Sequence, residues 1–135
     1  MVNGRDKGAN WERKLGKILE LELGIKFARN LEQYRSADEG DLIADNPEFP
    51  FSIEAKAYAK GVGCRDAWWN QASKAAASAH KLPAVIYKYN NYKPRVVISF
   101  SAICAMFDEE EDEEDLLLET SIEGFCYICR ELMNK

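Results

Sequence analysis

The segment Phe51-Ser52-Ile53-Glu54-Ala55-Lys56-Ala57-Tyr58 constrains the fold most. On an extended strand, alternate side chains point to opposite faces. Glu54 and Lys56 therefore share one face, while Ile53 and Ala55 share the other. A strand with a carboxylate and an ammonium on one side and aliphatic groups on the other must lie where the charges find partners. Asp41, thirteen residues earlier, opens a strand-like run of its own. The turn at Asp45-Asn46-Pro47 lies between the two runs and predicts a hairpin that brings Asp41 near Glu54. Two carboxylates and a lysine at adjacent strands form a donor set able to hold a hard divalent cation beside a phosphodiester.

A fourth charge belongs with these three. Asn10 reads as the cap of a helix running from Trp11 to about Leu23, with Gly24 as its stop. Leu15, Ile18, Leu19 and Leu23 form the apolar stripe, and Glu12 falls on the same face. A carboxylate on a core-facing stripe is costly unless it has a partner.

The net charge of −5 and the pI near 5.0 argue at first against a polyanionic partner. The distribution reverses that impression. Residues 1–107 hold 16 Lys and Arg against 12 Asp and Glu, whereas residues 108–135 hold 2 against 11. The acidity belongs to the tail, above all to the unbroken acidic run 108–115, which reads as a solvated loop or a frayed helix extension. No stretch approaches the roughly 20 apolar residues that span a membrane, and the first residues lack the apolar region of a signal peptide. A cytoplasmic protein is therefore expected, and a 135-residue chain is expected to form one domain. The four cysteines include Cys126-Tyr127-Ile128-Cys129, which has the spacing of half a zinc site. The chain offers no second close pair and a single histidine, His80, so buried thiols are the expected reading.

The remaining periodicities predict strands at 25–29, 41–44, 51–58, 84–89 and 95–100. A second helix is predicted over 66–80, with Pro83 as its stop. A short helix follows Ser101, and Thr120-Ser121-Ile122-Glu123 has capping-box spacing for a last helix. The order is αβββαββ with C-terminal helices, an α/β sandwich around a mixed sheet.

Glu12 on the first helix, Asp41 opening a strand and Glu54-Ala55-Lys56 after a hairpin resemble the PD-(D/E)xK nuclease superfamily. The opening Lys7-Gly8-Ala9-Asn10-Trp11-Glu12-Arg13 is similar to that of the archaeal-type Holliday junction resolvases and their phage relatives, as is Arg35-Ser36-Ala37 before Asp41. The resemblance covers roughly residues 5–100. It implies a restriction-endonuclease-like α/β fold with an αβββαβ core, residues 1–107 forming the nuclease core and residues 108–135 packing on the same domain. It also implies a Mg²⁺- or Mn²⁺-dependent DNA endonuclease, with four-way branched DNA as substrate, a homodimer, and the host cytoplasm as location if the chain is phage-encoded.

In that reading Asp41, Glu54 and the Ala55 carbonyl ligate the metal, Glu12 completes its shell through water or helps hold a second ion, and Lys56 steadies the attacking water or the phosphate charge. Gln71 touches water or phosphate from the second helix, while Arg5, Lys7, Arg35, Ser36, Lys60 and Arg65 contact DNA. The departures from the resolvase pattern are Trp68-Trp69-Asn70-Gln71, the length of the loop before Asp41, and the acidic tail. Two other readings stay open: a nuclease of the same superfamily acting on duplex ends, flaps or nicks, and a non-catalytic module that binds DNA or protein.

Overall fold

The computed structural model describes residues 4–31, 40–109 and 116–135, with Arg5 described by its backbone alone. Ten elements follow one another: α1 (Gly4–Leu23), β1 (Phe27–Arg29), β2 (Leu42–Ala44), β3 (Phe51–Tyr58), α2 (Asp66–Ala79), β4 (Leu82–Tyr89), β5 (Arg95–Ser99), α3 (Phe100–Met106), β6 (Leu117–Thr120) and α4 (Ile122–Met133). The six strands form one sheet in the order β1-β2-β3-β4-β5-β6. Only β3 and β4 run parallel, paired from Phe51↔Leu82 to Tyr58↔Tyr89. The neighbouring pairs on both sides are antiparallel, so the sheet is mixed, as expected. A parallel pair needs a crossover connection, and α2 supplies it.

Strand alternation divides the core into two. On one face Phe51 and Ile53 of β3 join Ile86, Val96 and Ile98 against Trp11, Leu15 and Leu19 of α1 and Phe125, Cys126 and Cys129 of α4. On the other face Val85, Tyr87, Tyr89 and Val97 meet Trp68 and Ala72 of α2. Because Glu54 and Lys56 alternate with Ile53 and Ala55, they lie on the α2 side.

Several boundaries differ from the sequence reading. The first helix starts at Gly4, not after Asn10. The Asn10 side chain accepts from Arg13 Nη1 at 3.1 Å and caps nothing. Once a helix is nucleated, each added residue gains a backbone bond, and Asp6 in the first turn suits the helix dipole. Pro83 does not stand outside the next strand but is the second residue of β4, opposite Ser52. Near a strand start, proline's missing N–H costs the ladder little. The short strand β6 was not expected at all. Its four residues pair antiparallel with β5, a long-range contact that four residues of local pattern do not announce. This pairing engages Thr120 with Val96, so Ser121 becomes the cap of α4 and accepts from the Gly124 N–H at 3.0 Å. The acidic run lies mostly outside the described residues.

Cys104, Cys126 and Cys129 are buried free thiols, and Cys126 and Cys129 line the inner face of α4 as expected. Desolvation pushes the Cys126 thiol up to about 11 and raises Cys129 as well. Burial favours the protonated thiol and bars the ionised one, so the buried thiols contribute fully to folding only while the unfolded chain's thiols are protonated too. That contribution is complete below the ordinary value of 9.0 and is lost as pH rises through about 11. The denaturant midpoint should therefore fall between these pH values, and fall less steeply in a Cys126→Ala, Cys129→Ala variant.

Candidate active site

β2 and β3 share one register pair, Leu42↔Ile53. Beyond it the chain on the β2 side turns across β3 instead of running alongside. Gly40 makes this crossing possible, since a Cβ there would sit 2.3 Å from the Ile53 carbonyl oxygen. The next residue, Asp41, donates its N–H to that oxygen at 2.7 Å. Its carboxylate Oδ2 then accepts the Ala55 N–H at 2.8 Å. A side-chain oxygen thus replaces the strand partner that β3 loses where β2 departs.

Asn30, just after β1, holds this turn from the other side. Its backbone N–H donates to the Asp41 carbonyl at 2.9 Å and its Nδ2 donates to the Gly40 carbonyl at 2.9 Å. Asp41 is consequently fixed by β1 and β3 together.

From α2, Gln71 reaches the same end of β3 and its Oε1 accepts from Lys56 Nζ at 2.9 Å. Glu12 comes from α1, which packs on the opposite face of the sheet from α2. Its partner is Arg29 of β1, with Nε 3.4 Å from Oε2, and both side chains are partly buried. That ion pair meets the cost of placing a carboxylate on a core-facing stripe.

Glu12, Asp41, Lys56 and Gln71 line one cleft of about 570 Å³, together with Lys7, Ala55 and Tyr58. Lys7 also donates to Asn90 Oδ1 at 2.5 Å, tying the start of α1 to the end of β4. Glu54 is only 1% exposed and does not line the cleft, although it immediately precedes Ala55, which does. Lys60 and Arg65 are exposed between β3 and α2, outside the lining. Arg5 lies in the first turn of α1, and Arg35 and Ser36 fall outside the described residues.

A second cavity of about 570 Å³ lies between β2 and the end of α2. It offers one carboxylate, Asp45, and Lys81, whose ammonium already donates to the Pro47 and Phe49 carbonyls. The chemistry-bearing residues converge in the first cleft.

Arg29, Asn30, Gly40 and Tyr58 are site residues that sequence reasoning missed. Arg29 and Asn30 act through hydrogen bonds to residues on other elements, which no local pattern marks. Gly40 carried the best available signal, a glycine directly before the aspartate.

The acidic donors are oxygen only, which suits Mg²⁺ or Mn²⁺ better than zinc. Among the described residues no three His, Cys, Asp or Glu side chains group into a ready metal cage. Mg²⁺ does not require one, since it commonly keeps several waters and takes one or two protein carboxylates.

The mixed sheet flanked by helices, with the aspartate at the β3 edge and the lysine on β3, defines a restriction-endonuclease-like α/β fold. The chain is similar to the solved structure of Hjc from Archaeoglobus fulgidus, a Holliday junction resolvase from an archaeal hyperthermophile. That match has a TM-score of 0.56 at 17% identity and covers 91% of this chain and 98% of the other. No curated protein matches. Residues 3–129 match the profile of the family described as "Phage putative PDDEXK endonuclease", and the chain belongs to that nuclease family.

The bond from Ala55 to Asp41 separates structure from charge. Asp41→Asn retains an oxygen acceptor and should leave the denaturant stability within about 1 kcal/mol of the parent. Asp41→Ala orphans the Ala55 N–H and should cost about 1–3 kcal/mol by the same measurement.

Proposed function

We propose that the protein is a divalent-metal-dependent DNA endonuclease whose substrate is branched DNA, with the four-way junction as the leading form. The observation that carries this reading is the Asp41 carboxylate, tied to the Ala55 N–H and lining one cleft with the Lys56–Gln71 pair. Asp41 and the Ala55 carbonyl in the cleft, with Glu54 buried directly before Ala55, would hold Mg²⁺ or Mn²⁺, and Glu12 would act through water. The bound ion supplies Lewis-acid polarisation of the phosphate and a more acidic water.

The chain's own residues do the rest. An ammonium has three donor hydrogens, and the bond to Gln71 uses one. Lys56 keeps two for a phosphate oxygen or the attacking water, and Gln71 holds it at the angle needed. Arg29 orients Glu12 through their ion pair. Hydrolysis by water leaves a 5′-phosphate and a 3′-hydroxyl, with no covalent intermediate.

Positive charge in residues 1–107, outside the acidic tail, supports a DNA partner. Lys7, Lys60 and Arg65 are the described side chains assigned to phosphate contact, and Arg5, Arg35 and Ser36 complete that assignment. Resolution of a two-fold junction requires two cuts, and hence a homodimer. Residues 1–107 carry the site, and 108–135 close the domain through α4 packed on α1. No helix among the described residues is long and apolar enough to cross a membrane. The membership in a phage family supports the cytoplasm of a host as the place of action.

The test incubates the protein and its Glu54→Gln variant with four-way, flap and linear DNA, in Mg²⁺ or in EDTA. Paired, symmetrical cuts in the junction that need Mg²⁺ and vanish in the variant are expected. Equal cutting of linear duplex would sink the junction assignment, and no metal-dependent cutting of any substrate would sink the nuclease mechanism.

A further inference from the structure

We infer that Tyr58 is a stacking platform for an unpaired nucleobase at the mouth of the cleft. The inference rests on the nucleic-acid reading above and deepens it by naming the feature of the substrate that is recognised. Tyr58 is the last residue of β3, two positions beyond Lys56 on the same face, which places it about 7 Å further along the strand. It lines the cleft with Asp41 and Lys56 and is 39% exposed, unusual for an aromatic side chain in a layer whose neighbours Tyr87 and Tyr89 are buried.

One face of the ring is already used. Trp68 stacks on it with centroids 5.3 Å apart and planes 14° from parallel. The Arg65 guanidinium carbon lies 4.7 Å from the Tyr58 centroid and 4.9 Å from that of Trp68. Had Arg65 and Trp68 sat on opposite sides of Tyr58, they would be separated by close to both distances combined. The short Arg65–Trp68 distance therefore puts both on the same side, and neither covers the second face.

The loop that follows Tyr58 is also held against the sheet before any ligand arrives. The loop after β3 packs so closely that a Cβ on Gly61 would sit 2.4 Å from the Tyr89 ring, and Tyr89 donates its hydroxyl to the Gly63 carbonyl at 2.7 Å. Arg65 makes no ion pair among the described residues, so its charge remains available to a phosphate while its guanidinium carbon lies over both rings.

A flat, preorganised aromatic face accepts any base, because every base has a π-face. A paired base within duplex DNA already has its faces covered by its neighbours. Only a base freed at a branch, gap or single-stranded end can use Tyr58, so the platform favours cutting beside such a base.

The experiment measures binding by fluorescence anisotropy in EDTA, where no metal-dependent cutting occurs. Probes are labelled oligothymidine and blunt duplex of the same length. Proteins are the parent, Tyr58→Phe, and Tyr58→Leu, which keeps apolar packing against Trp68 without a π-face. Tyr58→Leu should weaken oligothymidine binding roughly tenfold and change duplex binding by less than about twofold, whereas Tyr58→Phe binds like the parent. Thermal unfolding of the Leu variant near the parent midpoint, and quenching of tryptophan fluorescence by oligothymidine in the parent and Phe variant, would support the platform. Parent-like oligothymidine binding by Tyr58→Leu, an equal loss on both probes, or no oligothymidine binding by the parent would overturn it. Junction cutting by a parent whose oligothymidine binding ignores Tyr58 removes the platform alone. Tyr58-dependent binding by a parent that cuts nothing removes the nuclease mechanism and keeps the platform.

Discussion

Where β2 leaves β3, one backbone donor must find a new acceptor, and the Asp41 carboxylate provides it through the Ala55 N–H. The cleft depends on this substitution. A longer β2 would have covered the β3 edge with a ladder and left no room for a ligand. Without a side-chain acceptor, the exposed edge would carry an unsatisfied N–H or invite pairing with another chain. Asn30 and Gly40 secure the turn, the first through two hydrogen bonds and the second by having no Cβ to collide with Ile53. The carboxylate thus serves the fold while facing the cleft.

The two helices contribute from opposite sides of the sheet. α1 brings Glu12 past the core face and α2 brings Gln71 over the other, so the site forms where both layers meet the free end of β3. Each charged group arrives with a specific partner: Arg29 for Glu12 and Gln71 for Lys56. Such pairing fixes orientation as much as energy. The partly exposed Arg29–Glu12 pair contributes on the order of 1 kcal/mol or less to stability, while its effect on the direction of the Glu12 carboxylate is large.

Much of the fold was legible locally. The alternation of residues 51–58 located β3 and placed Glu54 and Lys56 on one face, and the apolar stripe of the first helix placed Leu15 and Leu19 in the core. Failures arose where a distant contact overrode a local signal. Thr120 has the look of a helix cap but pairs with Val96, Pro83 has the look of a stop but lies within β4, and Asn10 has the look of a cap inside a helix that continues through it. For the candidate site, Asp41, Lys56, Gln71 and Glu12 were named from residue type and spacing, and the structure brings them to one cleft. Their partners were not, because Arg29 and Asn30 carry no periodicity that separates them from other polar residues near a strand end.

By itself the sequence determined the period of each long element, and with it which side chains share a face, because that follows from backbone geometry alone. It also determined the separation of a basic body from an acidic tail. Only the tertiary structure decided that β2 ends one pair after meeting β3, that Glu54 is buried while Lys56 enters the cleft, and that Tyr58 stays partly exposed beside Lys56 in the cleft lining. Those outcomes depend on contacts between residues far apart in the chain, whose distances no local pattern contains.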